Sequence, residues 1–254
     1  MRMHATPLYN QRALHLASLD TLVVADLHIG IEYDLSLSGA YLPSQTQVLA
    51  DRILGLIEDT GARRLLINGD LKHMIAPGAD SQEYRRALRQ EKRELDAFLT
   101  RVSGQVEVTL VAGNHDGGLR TGRGLQVVDP RGERLDEAIG CAHGHAWPRD
   151  EVMQADLMLM GHVHPVVRLR NSLGYASSQP CWVRAPLREK DAREVYETAN
   201  ANLEVIVMPA FNPLCGGTAV NTEGLLGPLA KIIDLARGQV YLLDGTFLGT
   251  VADL

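Results

Sequence analysis

The chain has 254 residues, a formal net charge of −6, 45% hydrophobic residues and 22% charged residues. That length and balance fit a soluble globular protein that buries its core without disulfides or structural metal, so any bound metal is expected to be catalytic. The negative charge excludes a protein that coats nucleic acid generally, but not a nuclease with a local basic rim.

Residues 1–20 lack the apolar core of a signal peptide. No apolar run approaches the ~20 residues of a membrane span, and a cytoplasmic location is expected. Residues 21–25 read as the first buried strand and lead into Asp26, Leu27 and His28. Ser44 can cap a helix running to about Thr60, with Val48, Leu49, Ile53, Leu56 and Ile57 on one face and Gly61 as its stop. A second strand over 64–67 leads into Gly69, Asp70, Leu71, Lys72 and His73. Ser81 opens a helix to about Val102 with a stripe of Tyr84, Leu88, Leu95 and Leu99. The charged run on its other face, Glu83 through Glu94 and including Glu91, reads as solvated.

Strands over 106–111, 138–142 and 157–160 lead into three more polar clusters. These are Gly113-Asn114-His115-Asp116, His143-Gly144-His145 and Gly161-His162-Val163-His164. After Pro165, short runs at 166–170, 181–185 and 204–208 suggest hairpins that form a second sheet packed on the first. A helix is expected over 189–201, and a hairpin around Asp244-Gly245. With no repeat, linker or low-complexity segment, one domain spanning 1–254 is expected. Cys141, Cys181 and Cys215 are far apart and form no CxxC, which points to buried thiols in a reducing compartment. The basic residues are mostly Arg, the better bidentate phosphate partner, with only Lys72, Lys92, Lys190 and Lys231 besides.

Seven of the nine histidines fall in the five clusters. Each cluster alone is a weak signal. Their joint order is informative, because each follows an apolar run, and ligands in α/β sheets bind outside the carboxyl ends of strands. Converging Asp, Asn and His donors are what a pair of metal ions requires.

The series D-x-H, G-D, G-N-H-D, H-G-H and G-H-x-H resembles the metallophosphoesterase (calcineurin-like phosphoesterase) superfamily over residues 26–164, about half of the chain. That resemblance implies an α/β fold, a two-sheet β-sandwich flanked by helices, with a dinuclear metal site at one sheet edge. It implies one metal held by Asp26, His28, Asp70 and His164, and a second held by Asp70, Asn114, His143 and His162. Asp70 has two oxygens and can bridge cations about 3.5–4 Å apart. Imidazole and carboxylate donors with no thiolate suit two divalent ions, Mn²⁺ first, with Fe or Zn²⁺ as alternatives. Such a pair acidifies a shared water and clamps phosphoryl oxygens.

His115 is not a ligand in the superfamily, and is expected to hydrogen-bond the phosphoryl group and protonate the leaving group. Asp116 is expected to orient it. His73 and His145 read either as substrate-facing or as structural. Arg120 and Arg123, with Arg131 and Arg134, read as phosphate contacts or as a solvated loop. Residues 209–221 are rich in turn formers; Gly216-Gly217-Thr218 can form a phosphate nest or a tight buried turn, and Asn212 and Thr218 are substrate candidates. This segment, with 69–73 and 161–165, also resembles a narrower branch: archaeal phosphoesterases related to the bacterial endonuclease associated with DNA ligase and a helicase.

The expected activity is metal-dependent hydrolysis of a phosphodiester by a nuclease or nucleotide phosphodiesterase. The substrate would be DNA, RNA or a nucleotide, with no membrane partner and a homodimer allowed. A phosphomonoesterase or nucleotidase for a small substrate is the alternative, since the metal motif does not separate the two. A non-catalytic scaffold of the same fold is the remote reading, because scaffold relatives usually show eroded ligands and every ligand position here is filled.

Overall fold

A computed structural model of the chain describes residues 5–75 and 81–254. Six strands, consecutive in the chain, form the first sheet in sequence order: β1 (Thr6–Pro7), β2 (Ala13–Leu16), β3 (Thr21–Val24), β4 (Arg64–Asn68), β5 (Glu107–Val111) and β6 (Leu125–Val128). From β3 to β6 the strands are parallel; β1 and β2 add an antiparallel edge. The crossovers carry α1 (Ile31–Leu37), α2 (Thr46–Thr60) and α3 (Gln82–Ser103).

The second sheet takes the remaining nine strands: β7 (Glu133–Arg134), β8 (Ile139–Ala142), β9 (Leu157–Met160), β10 (Pro165–Arg170), β11 (Ala176–Pro186), β12 (Glu204–Val207), β13 (Thr218–Ala219), β14 (Gln239–Leu242) and β15 (Phe247–Thr250). Here β8, β9 and β12 run parallel, while β10–β11 and β14–β15 are antiparallel hairpins. Two short helices, α4 (Asp150–Met153) and α5 (Glu189–Val195), accompany this sheet.

The two sheets close on a shared apolar layer. Leu14, Leu16, Val23, Leu66 and Val111 from the first meet Ile139, Cys141, Leu159, Trp182 and Ile206 from the second. The outer face of the first sheet is covered by α2 and α3 through Leu49, Ile53, Leu95, Phe98 and Val102. The outer face of the second holds Met158, Val183, Val205, Leu229 and Ile233. The result is the expected α/β two-sheet sandwich flanked by helices. Strands β3, β8 and β9 are buried at every residue, which is why they read as unbroken apolar runs rather than alternating ones.

Several boundaries differ from the sequence reading. The second sheet begins with β7, not after Pro165, and its centre is parallel strands rather than hairpins alone. Ser44 sits one residue outside the helix N-cap, although its hydroxyl still accepts the Thr46 N–H at 3.3 Å. Val48 is 56% exposed, because at 100° per residue it falls about 100° to the side of the Leu49, Ile53, Leu56 stripe. Gly61 does end α2, in the left-handed conformation at φ 68°. Ser81 does cap α3, accepting the Tyr84 N–H at 3.1 Å. The buried stripe of α3 is Ala87, Glu91, Leu95, Phe98, Leu99 and Val102, so Glu91 belongs to the buried face and not to the solvated one. Helix α5 stops at Val195, because Tyr196 turns extended to bury its ring and donate its hydroxyl to the Pro148 carbonyl. The hairpin around Asp244-Gly245 forms as expected.

Phe98 is fully buried between α3 and the first sheet. Phe98→Ala should cost about 3–5 kcal/mol of stability by urea unfolding. A loss within experimental error would mean that α3 is not anchored as described.

Candidate metal centre

The parallel strands of both sheets end at one edge, and the five polar clusters lie there. Asp26 follows β3, Asp70 follows β4, and Asn114 to Asp116 follow β5. His143 follows β8, and His162 and His164 fill the connection from β9 to β10. Clusters from the first sheet thus face clusters from the second. Among the described residues eight non-glycine residues have positive φ, and five of them are expected ligands: Asp26 (56°), His28 (44°), Asp70 (48°), His162 (69°) and His164 (48°). The chain leaves β3, β4 and β9 through tight left-handed steps at these residues. Two glycines permit the close approach. A Cβ on Gly69 would stand 1.9 Å from His143 Nδ1, and one on Gly113 would stand 2.1 Å from Asp70 Oδ1.

Asp70 lies between the two groups. Its Oδ2 is 3.6 Å from His28 Nε2 on one side and 3.3 Å from His143 Nε2 on the other. Asp26 Oδ1 is 3.4 Å from His164 Nε2, and His28 Nε2 is 3.4 Å from the same nitrogen. Asn114 Oδ1 is 3.3 Å from His143 Nε2. Donor atoms of Asp26, His28 and Asp70 lie within 4.8 Å of one another, as do those of Asp70, His143 and His162. All seven expected ligand residues are therefore brought together, in the two groups the resemblance implies.

Outer partners fix which nitrogen of each ring faces inward. His143 Nδ1 donates to the Asn68 carbonyl at 3.0 Å, and His164 Nδ1 donates to the Gly216 carbonyl at 3.0 Å. Each leaves Nε2 for the centre, the arrangement typical of metal-binding histidines. His115 donates Nδ1 to the His73 carbonyl, and its backbone N–H donates to Asp70 Oδ1 at 2.9 Å. His73 lies within the site: its Nδ1 is 3.1 Å from His28 Nδ1, and its Nε2 is 3.5 Å from Asp34 Oδ2. His145 stands near His143 and His162, with ring centroids 5.2 and 6.0 Å away. Its Nδ1 is buried without a protein partner among the described residues.

The electrostatics follow from burial. Burial alone would raise the pKa of Asp70, but His143 and His28 outweigh it and hold the carboxyl below its ordinary range. Asp26 is likewise lowered, against burial, by His164 and His143. Burial depresses His28 to about 3 and His162 to about 4, so both rings are neutral, the form that ligates metal. His143 is raised to about 9: burial opposes its charge, but Asp70 and Asp26 overcome it. Among the described residues the ion-pair partners of both carboxylates are all histidines. Two buried carboxylates, an amide oxygen and four imidazoles, with no fixed Lys or Arg partner among the described residues, form a donor set that fits divalent cations.

Other expectations fail. Asp116 does not orient the His115 ring. Its carboxylate is taken up by the backbone N–H groups of Leu71 (2.9 Å), Lys72 (3.3 Å) and Gly113 (2.8 Å), tying two loops together. Arg123 lies just before β6, at the edge where the parallel strands begin, and pairs with Asp96 of α3. Arg120 is exposed and donates to the carbonyl of Leu119, its own neighbour. Arg134 is spent on the carbonyls of Asp136 and Glu137. Asn212 is fully buried and structural, donating to the Leu27 carbonyl at 2.9 Å and accepting the Leu214 N–H at 3.0 Å. In the 209–221 segment Gly216 presents a carbonyl to His164 rather than a nest of N–H groups. Thr218 is half-buried and donates its backbone N–H to the His164 carbonyl.

Three contributors escaped the sequence reading. Glu91 Oε2 accepts the N–H groups of His73 (3.1 Å) and Met74 (2.6 Å) and so holds the His73 loop. Its place four residues after Ala87 and four before Leu95 was the available signal. Asp34 pairs with His73 from α1. Cys215 lies with its sulfur near ring nitrogens of His28 and His164.

This sandwich, with an Asp, Asn and His edge fed by both sheets, has the architecture that the resemblance implies. Among solved structures the chain is similar to nuclease MPE of Pseudomonas putida, at 22% identity over 93% of this chain and 91% of that one, with a TM-score of 0.58. It also aligns with Yfce, a phosphoesterase from E. coli (14% identity, 91% and 98% covered, TM-score 0.34). A third alignment is with a predicted phosphoesterase of Streptococcus pneumoniae (12% identity, 89% and 91% covered, TM-score 0.32). No protein-family model and no curated protein sequence matches the chain. No described helix is long and apolar enough to cross a membrane.

In protein stripped with a chelator, His143 should stay charged up to about pH 9, against an ordinary value of 6.5. Because the folded pKa is raised, the stability it contributes is complete below pH 6.5 and is lost as the pH climbs through about 9. Thermal melts of the stripped protein should therefore decline across that window, and His143→Asn should flatten the decline. An equally steep decline in the variant would assign it to another group.

Proposed function

We propose that this chain is a metal-dependent phosphodiesterase, a nuclease or nucleotide phosphodiesterase. One observation carries the reading. The buried Asp70 carboxylate stands within 3.6 Å of His28 and 3.3 Å of His143, which belong to different sheets, so one carboxylate can serve two cations. Asp26, His28, Asp70 and His164 would hold one ion, and Asp70, Asn114, His143 and His162 the other. The donor set favours Mn²⁺, with Fe or Zn²⁺ as alternatives. When bound, the two ions supply an acidified water and a clamp on the phosphoryl oxygens.

The chain's own residues supply the rest. With Nδ1 of His115 committed to the His73 carbonyl, Nε2 is the atom free to exchange a proton. A proton held there can pass to the departing ester oxygen. The hydrogen bond from the His115 backbone to Asp70 keeps that ring in register with the centre. Glu91, His73 and Asp34 act by positioning, since each contacts another residue of the site. The fold neighbour from Pseudomonas putida is a nuclease, which agrees with a diester substrate.

The test is a substrate panel in Mn²⁺ that compares bis-p-nitrophenyl phosphate, p-nitrophenyl phosphate, cyclic nucleotides and single- and double-stranded DNA and RNA. Diesters should be cleaved; cleavage of the monoester alone would leave a phosphomonoesterase. Asp70→Asn should abolish turnover of every substrate and lower metal content, and full activity would refute the shared carboxylate. His115→Ala should lose about 10²–10⁴-fold on poor leaving groups and much less on nitrophenolate. Equal losses across leaving groups would remove His115 as the acid.

A further inference from the structure

The hairpin that follows His164 is not needed to build the centre, yet it is rooted there. Val183 of β11 pairs with Val207, which pairs with Met160, the last residue of β9. Ala176 is seven residues further out along β11, about 23 Å at 3.3 Å per residue. Strand β10 starts beside His164 and runs in the same direction as β9. The hairpin therefore projects past the carboxyl edge of the second sheet, on the side of the molecule where the metal centre lies.

Its outer part is a free two-stranded ribbon. Strand β11 is flanked by β12 and β14 only from Cys181 onward, while residues 176–180 pair with β10 alone. On the other side, β13 covers only Pro165 and Val166, and the Asn221 side chain closes the backbone of Arg168 with two bonds of 3.0 Å. Residues 171–179 are all exposed, including Leu173 (80%) and Tyr175 (75%) at the tip. Asn171 Oδ1 accepts the N–H groups of Leu173 and Tyr175, so the tip is an ordered turn.

The charge is one-sided. Residues 157–188 contain no Asp or Glu, in a chain that has 31 of them. Arg168 and Arg170 are exposed, share one face with their cross-strand partners Ser178 and Ala176, and make no ion pair among the described residues. The opposite face packs inward through Val167 and Leu169. A ribbon with strands about 4.8 Å apart fits a major groove about 12 Å wide, and Arg and Ser are groups that contact phosphates there.

We propose that the β10–β11 ribbon, through Arg168, Arg170 and the Leu173–Tyr175 tip, seats a nucleic-acid duplex and so presents a neighbouring phosphodiester to the centre. This rests on the diesterase reading above and adds a duplex as the substrate class. The Arg-rich loop expected to do this points elsewhere, since Arg123 and Arg134 are already engaged.

The experiment uses the full chain, its Arg168→Ala/Arg170→Ala variant and the charge-preserving Arg168→Lys/Arg170→Lys variant. Binding to a cleavage-resistant phosphorothioate DNA duplex in Mn²⁺ is read by fluorescence anisotropy across a salt series. The alanine variant should bind at least tenfold more weakly, and its log K against log salt slope should be shallower by about 1.8, two phosphate contacts at 0.9 each. The lysine variant should keep most of the slope. Bis-p-nitrophenyl phosphate, too small to reach the ribbon, should be hydrolysed equally by all three. Unchanged duplex binding in the alanine variant, or no duplex binding by the parent, overturns the proposal. So does unchanged binding accompanied by loss of a dimer in light scattering, which would make the ribbon a subunit contact. Failure of the parent on bis-p-nitrophenyl phosphate counts against the diesterase reading alone, because anisotropy reads binding without turnover.

Discussion

Two carboxylates with almost no access to water govern this structure. Asp26 is fully buried and Asp70 is 2% exposed. Ionised groups in such places cost several kcal/mol each unless their charge is met at close range. The groups that meet it are imidazoles, and the carboxylates shift two of them, His143 and His164, toward the protonated form. Two buried carboxylates met only by imidazoles among the described residues leave an edge suited to divalent cations. Folding to this arrangement also requires five non-glycine residues in the left-handed region, of the order of 1–3 kcal/mol apiece where no local compensation exists. Asp and His tolerate that region better than branched residues, so the same residue types serve both the backbone and the chemistry.

The centre is divided between the sheets, so the packing of one sheet on the other sets its geometry. Asn68, at the end of β4, ties the seam. Its Nδ2 donates to the carbonyls of Ala142 (3.2 Å) and Leu159 (3.1 Å) in the second sheet, and its own carbonyl receives His143 Nδ1. The residue that precedes the Gly69-Asp70 turn therefore also aims a histidine from the opposite sheet. Phe211 and Asn212 do the same for the other flank, with backbone N–H groups of both directed at the carbonyls of Ala25 and Asp26. The spacing of the candidate ligands is thus held by buried hydrogen bonds, and not by the loops alone.

What the sequence discloses of this site divides by period and distance. Residues placed by a strand end, such as Asp26, Asp70 and His162, are legible because a buried strand announces where it stops. Glu91 is not, because a charged residue in a charge-rich helix reads as solvated unless its neighbours at four-residue spacing are weighed first. Arg123 is misread because proximity in sequence to His115 suggests proximity in space. The parallel crossover into β6 instead returns the chain to the far edge. Asn212 fails for a related reason. A polar residue among turn formers resembles a ligand-binding group, and only the fold reveals that the Leu27 carbonyl claims its amide. Long-range pairing is what a single sequence withholds, and the errors at Arg123 and Asn212 both concern it.

The Asp70 and His115 loops form one hydrogen-bonded body. Asp116 binds Leu71 and Lys72 across the gap while also bracing Gly113, Asp70 receives the His115 backbone, and the His73 carbonyl receives the His115 ring. Glu91 then fastens His73 and Met74 to α3. On the proposed reading, the proton donor stands on the same hydrogen-bonded body as the shared carboxylate, at a distance set by preformed contacts. For a reaction whose charge shifts between an attacking and a departing oxygen, that fixed relation is worth more than either group alone, because positioning by preformed contacts needs no reorganisation as the charge develops. Asp116 therefore acts on the two loops through their backbone, while the Asp70 carboxylate and the His73 carbonyl set where the His115 ring stands.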